Sequence, residues 1–147
     1  MAQVTATAER TVPAPVEAVR AAVADYTQTR PEILTEQFTD YAVLTGGQGE
    51  GTSATWKLHA TKKRVRHVKA DVTQPTPDTV VEKDANSSLV TTWRVAPAGE
   101  GASLVTITTT WNGAGGIGGF FERAFAPKGL TRIYDGVLAN LASKVGG

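Results

Sequence analysis

From Gln3 to Val12 small and apolar residues fall at every second position, Val4, Ala6, Ala8 and Val12 with Arg10 among them, and this period of two predicts a strand. Pro13 and Pro15 stop it. Pro15 stands where a helix can begin, because proline is tolerated in the first turn. Val16, Val19, Ala22 and Val23 follow at helical spacing and predict a short helix from Pro15 to Ala24. Thr27 and Thr29 are the expected caps of a second short segment holding Pro31, Ile33 and Leu34, read as a short helix with an ordered loop as the alternative.

The period returns to two between Gln37 and Trp111. Strands are predicted at Phe38–Leu44, Thr52–Ala60, Lys62–Thr73, Thr79–Asp84, Leu89–Val95 and Ser103–Trp111. Gly46, Gly47, Gly49 and Gly51 predict a flexible connection, Pro75 and Pro77 a strand end, and Asn86-Ser87 a turn. Pro97, Gly99 and Gly101 separate the last two strands. Successive short strands joined by turns read as an antiparallel meander. Beyond the glycine-rich run Gly113 to Gly119, helical spacing resumes through Phe121, Ala124, Phe125, Leu130, Ile133, Tyr134, Val137, Leu138 and Leu141. This predicts a long amphipathic helix ending near Lys144, with a kink or short break near Ala126 to Lys128, where Pro127 and Gly129 stand.

One helix cannot cover seven strands if they lie flat. Wide sheets twist and curl, and a sheet curled around a helix leaves space that the helix fills only in part. What remains is either a cavity, the usual place for a small ligand, or ordinary packed core. The expected class is therefore α+β: a curved seven-stranded antiparallel sheet around a long C-terminal helix, with two short helices after the first strand.

Specific stretches match that layout. Val12-Pro13-Ala14-Pro15-Val16-Glu17-Ala18-Val19, the strand entry Gly51-Thr52-Ser53-Ala54-Thr55-Trp56, and the closing pair Trp93–Val95 and Val105–Trp111 resemble the START-like (SRPBCC) superfamily. The likeness is to its polyketide cyclase/dehydrase-like group, nearest to actinobacterial members. The resemblance covers essentially the whole chain and implies the helix-grip fold, with a cavity for a small hydrophobic molecule. It carries over no catalytic residue, because the superfamily shares no catalytic motif.

Composition narrows the chemistry. At 147 residues the chain is expected to form a single domain, residues 1–147. The absence of cysteine excludes disulfides, thiolate metal sites and a thiol nucleophile. A net charge of +1, from 15 Lys+Arg and 14 Asp+Glu, argues against nucleic acid as a partner. No apolar run suits stable membrane insertion, and Met1 to Arg10 lacks a basic start and an apolar stretch, so a cytoplasmic location is expected. The 21 threonines and 16 valines favour strands.

Trp56, Trp93 and Trp111 fall in predicted strands, and Phe121, Phe125 and Tyr134 in the last helix. They are candidates for an aromatic-lined pocket, with ordinary core packing as the alternative. Ile107 and Thr109 share the face of Trp111, which is expected near the cavity mouth. Arg64 and Arg66 share a face with Val68, Ala70 and Val72, read as inward. Either would bind a ligand carboxylate or phosphate, or pair with Glu82 or Glu36. His59 and His67 are read as outward, facing each other across a hairpin, and make a poor metal site. Gly113-x-Gly115-x-x-Gly118 has the letters of a dinucleotide loop but no βαβ unit, and reads better as a mobile gate.

The candidate ligand-binding set is thus Trp56, Arg64, Arg66, Trp93, Ile107, Thr109, Trp111, Phe121, Phe125 and Tyr134, with no cofactor and no metal. The expected partner is a small hydrophobic molecule (a lipid, polyketide or aromatic metabolite), with or without an anionic group, bound by a monomer or weak homodimer. Two rivals stay open. One is a cyclase/dehydrase-type enzyme using Arg66, Glu82, Tyr134 or His59 for proton transfer. The other is a protein-interaction module.

Overall fold

In a computed structural model, which describes residues 3–61, 64–112 and 127–146, the alternating stretches join into one sheet. The elements are β1 (Gln3–Val12), α1 (Val16–Ala24), α2 (Thr29–Ile33), β2 (Phe38–Thr45), β3 (Ser53–Thr61), β4 (Arg64–Thr76), β5 (Thr79–Asp84), β6 (Val90–Pro97), β7 (Ser103–Asn112) and α3 (Pro127–Gly146). The strand order is β1-β7-β6-β5-β4-β3-β2, antiparallel throughout. The meander from β2 to β7 is therefore closed by β1, the first strand, lying beside the last.

Alternation decides which face is buried. Along β7, Ser103, Val105, Ile107, Thr109 and Trp111 are buried while their neighbours are not. Register carries that inner face across the sheet: Ile107 lies opposite Trp93 and Ala8, and Thr109 opposite Thr91 and Ala6. The small side chains of Ala6 and Ala8 let α3 pack closely over β1, and Thr131 of α3 donates to the Thr7 carbonyl at 3.1 Å. Val12, Val19, Val23, Ile33, Leu130, Leu138 and Leu141 complete the fully buried core, each contributing about 1.5–3 kcal/mol of apolar transfer.

Several local expectations are corrected. Neither Thr27 nor Thr29 caps α2 with its side chain; the Asp25 carboxylate closes that turn instead. It accepts from the Thr27 and Gln28 N–H groups at 3.1 and 3.0 Å and from the Thr29 hydroxyl at 3.2 Å. Burial would raise the Asp25 carboxyl, but these donors and Gln48 outweigh it and hold its pKa below the usual value. Strand β4 runs through Pro75 to Thr76, and a register shift between Thr73 and Thr76 accommodates the residue without an N–H. The connection at Gly46–Gly51 is tied rather than loose: Tyr26 N–H donates to Gly47 O and Gly49 N–H to Ala24 O, both at 2.9 Å. Helix α3, described from Pro127, runs through Gly129 without a break. Ala126, the glycine run 113–119, Phe121 and Phe125 lie outside the described residues. No helix among the described residues is long and apolar enough to cross a membrane.

Candidate functional site

A cavity opens between the concave face of the sheet and α3. Its empty space is about 450 Å³, counting the mouth, yet it is narrow: the volume open to the centre of a water molecule is about 30 Å³. Helix α2 supplies Arg30, Leu34 follows its last residue, β2 supplies Phe38 and Tyr41, and β3 supplies Trp56 and Leu58. The opposite wall is Glu82 of β5, Leu89, and Thr91 and Trp93 of β6, and α3 closes it with Tyr134 and Val137.

Each wall follows from local pattern. Trp56 alternates with Ala54 and Leu58 on β3, and the Tyr41 ring stacks on Trp56 at 6.1 Å with 21° between planes. The Tyr41 hydroxyl donates to the Tyr26 carbonyl at 2.5 Å. Burial pushes the Tyr41 phenol up to about 12. On α3, the Tyr134 hydroxyl lies 2.7 Å from Thr109 Oγ1 and 3.5 Å from Thr91 Oγ1, while those two threonines meet at 2.8 Å. These contacts fasten the helix to β6 and β7. Burial raises the Tyr134 phenol above its ordinary value.

The polar end of the cavity is an ion pair. The Arg30 guanidinium donates to Glu82 Oε2, and the two side chains are only 3% and 6% exposed. Arg30 also donates to the Val23 carbonyl at 3.3 Å, and Tyr26 Oη donates to the same Glu82 oxygen at 2.5 Å. The guanidinium carbon lies over two rings, 4.2 Å from the Tyr26 centroid and 4.3 Å from that of Trp93. Burial alone would lower the Arg30 pKa; the Glu82 charge outweighs it and holds it above the ordinary value. Burial pushes the Tyr26 phenol well above its usual range, and Glu82 adds to the rise against Arg30. Two donors remain unsatisfied: Arg30 Nε and Trp93 Nε1 are buried without a hydrogen-bond partner. Leaving such a group unpaired costs roughly 1–3 kcal/mol.

Of the residues expected at the site, Trp56, Trp93 and Tyr134 line the cavity. Ile107, Thr109 and Trp111 share the concave face but belong to the packed core behind the lining. Trp111 is 1% exposed and is not among the described residues that line the cavity. Arg66 does face inward, but it stands away from the cavity: it donates to the Asn86 carbonyl at 3.1 Å and lies 3.9 Å from the Asp84 carboxylate. Burial lowers the Arg66 pKa against the pull of Asp84. Glu82, expected as its partner, is taken by Arg30. The Arg64 side chain, Phe121 and Phe125 lie outside the described residues.

His59 and His67 do not face each other: His59 lies opposite Val65 and His67 opposite Lys57. His59 Nε2 is 2.7 Å from Thr39 Oγ1, away from the cavity. Among the described residues no three His, Cys, Asp or Glu side chains gather as a metal site. Sequence reasoning missed Arg30, Tyr26 and Tyr41. A signal existed: Tyr26, Arg30 and Ile33 fall at i, i+4 and i+7, so a cation sits on what reads as the buried stripe of a short helix.

Comparison with known proteins agrees with this geometry. Residues 2–146 match the family described as "Polyketide cyclase / dehydrase and lipid transport". The NMR solution structure of the KanY protein is 57% identical, covers 100% of both chains and superposes with a TM-score of 0.90. Ginseng major latex-like protein 151 from Panax ginseng is 14% identical over 97% of each chain, with a TM-score of 0.73. A norcoclaurine synthase point mutant from Thalictrum flavum, in complex with a transition-state analogue, is 13% identical over 97% of this chain and 96% of its own, with a TM-score of 0.68. The last two likenesses show the helix-grip fold. A comparison with curated proteins finds no match.

Proposed function

Because this chain belongs to the polyketide cyclase/dehydrase and lipid transport family, we propose that it is a binding protein whose cavity takes a small, ring-containing hydrophobic molecule. The observation that carries the reading is the state of the charged groups at the cavity. Glu82 is engaged by both Arg30 and Tyr26, and Arg30 is engaged by Glu82 and the Val23 carbonyl. A general acid or base needs a position free to exchange a proton with the substrate, and Glu82 Oε2 is already held by two donors. The remaining lining is aromatic or aliphatic, with Trp56, Tyr41, Phe38 and Trp93 offering flat surfaces to a ring. The narrow interior implies that Leu34 and Phe38 shift on entry. Arg64, Phe121 and Phe125 remain candidates from the sequence.

Native mass spectrometry of the purified protein tests the reading by looking for a co-purified small molecule. Titration with the neutral dye Nile red supplies a second measurement. We expect saturable binding, weakened about tenfold in Trp56→Ala. No co-purified molecule, with no saturable dye binding, overturns it.

A further inference from the structure

Resting on that binding reading, we propose that the cavity selects an uncharged ring compound bearing a carbonyl oxygen, and that Trp93 is the residue that reads this oxygen. The argument begins with charge. Among the described lining residues only Arg30 and Glu82 carry full charges, and they are opposite and paired. The polar end therefore has no net charge to offer. A ligand carboxylate brought there would lie beside Glu82 without a cation of its own, which a dry site disfavours strongly.

Hydrogen bonding supplies the second constraint. The hydroxyls at the cavity are satisfied: Thr91, Thr109 and Tyr134 by one another, and Tyr41 by the Tyr26 carbonyl. The two buried polar atoms of the lining without a hydrogen-bond partner, Trp93 Nε1 and Arg30 Nε, are both N–H donors. They belong to residues in contact, since the guanidinium carbon of Arg30 lies 4.3 Å from the Trp93 ring centroid. A hydrocarbon would leave both donors unmet, and a ligand hydroxyl would bring a further proton needing its own acceptor. A neutral carbonyl oxygen has two lone pairs and no charge, which answers both constraints together. The anionic group admitted from the sequence through Arg64 and Arg66 is thereby disfavoured at this site.

Three probes on one ring system separate the possibilities: 2-acetylnaphthalene, 2-ethylnaphthalene and 2-naphthoate, titrated near neutral pH by calorimetry. The expected order is ketone first, with the carboxylate weaker by more than tenfold. In Trp93→Phe, which keeps an aromatic ring and loses the donor, the ketone-to-hydrocarbon affinity ratio falls roughly fivefold to tenfold, the worth of one hydrogen bond. The indole N–H resonance of Trp93 in the unsubstituted protein is expected to move downfield with the ketone and to stay with the hydrocarbon, a readout that a packing role would not produce. If naphthoate binds as tightly as the ketone, or if the ratio and the resonance stay unchanged, the proposal is overturned while the cavity remains a hydrophobic site. If none of the three binds, the binding reading falls and this inference with it.

Discussion

Arg30 of α2 and Glu82 of β5, 52 residues apart in the chain, meet as a buried ion pair with Tyr26 bonded to the same carboxylate. Desolvating two charges is expensive, and their attraction repays it only when the remaining donors and acceptors are met. Here Glu82 gains Tyr26, and Arg30 gains the Val23 carbonyl and two aromatic faces. The pair holds the short helix α2 against the sheet and so places one wall of the cavity.

Removing one member leaves the other charge buried. Arg30→Met should destabilise the fold by about 3–5 kcal/mol, a large share of a typical total of about 5–15 kcal/mol. The double variant Arg30→Met with Glu82→Leu should lose clearly less than the sum of the two single variants. Urea unfolding followed by tryptophan fluorescence measures both. A single-variant loss near zero would mean that the pair behaves as an exposed one.

The contact between Tyr134 and Thr109 should be measurable in the same way. Tyr134→Phe removes a hydroxyl bonded at 2.7 Å and should cost about 1 kcal/mol. Thr109→Val should cost a similar amount, and the double variant should be sub-additive because both changes break one bond. Strict additivity would show that the hydroxyls do not couple α3 to the sheet.

Alkaline titration reads the three tyrosines directly. Tyr26 and Tyr134 are raised above the usual phenol value and Tyr41 is raised to about 12, each chiefly by burial. In the unfolded chain all three should ionise near the ordinary value of about 10. The unfolded state then binds fewer protons than the native one above that pH, so stability falls as pH rises. The contribution is full below about pH 10 and is lost as pH climbs through the folded values, near 12 for Tyr41. Tyrosinate absorbance should therefore appear together with unfolding; a phenol titrating near pH 10 in the folded protein would contradict the buried placement.

Gly46 should not tolerate a side chain. Its φ is +70°, and a Cβ there would lie 2.8 Å from Thr52 Cα and 2.9 Å from the Gly51 carbonyl oxygen. Both obstacles are backbone, so they cannot swing aside. Gly46→Ala should destabilise by roughly 1–3 kcal/mol, and thermal unfolding would show it as a lowered Tm. Gly101, with φ +69° and no atom within 4 Å of a built Cβ, should lose less on the same change.

Much of the architecture was legible along the chain. The period of two located every strand of the meander, because a strand with one buried face must alternate. The period of three and four located α1 and α3 for the corresponding reason in helices. Trp56, Trp93 and Tyr134 were legible as cavity-lining residues because they stand on faces that those periods assign inward. Arg66 was also placed correctly as inward. Its partner was not, since position along β4 says nothing about the β5–β6 turn that supplies Asp84 and the Asn86 carbonyl.

What the sequence determined by itself is the set of elements, their order and the face that each one buries. These depend on neighbours a few positions apart, through the repeat of strand and helix. Only the tertiary structure decided which residues meet at the cavity. The spacing of Tyr26, Arg30 and Ile33 hints that Arg30 is buried, but its counter-ion lies on a strand 52 residues later, which no local spacing can name. The fold also sent Trp111 into the core and Trp93 to the lining, although both lie on the same face of one sheet. What covers each of them comes from segments distant in the chain, which the alternation along a strand does not record.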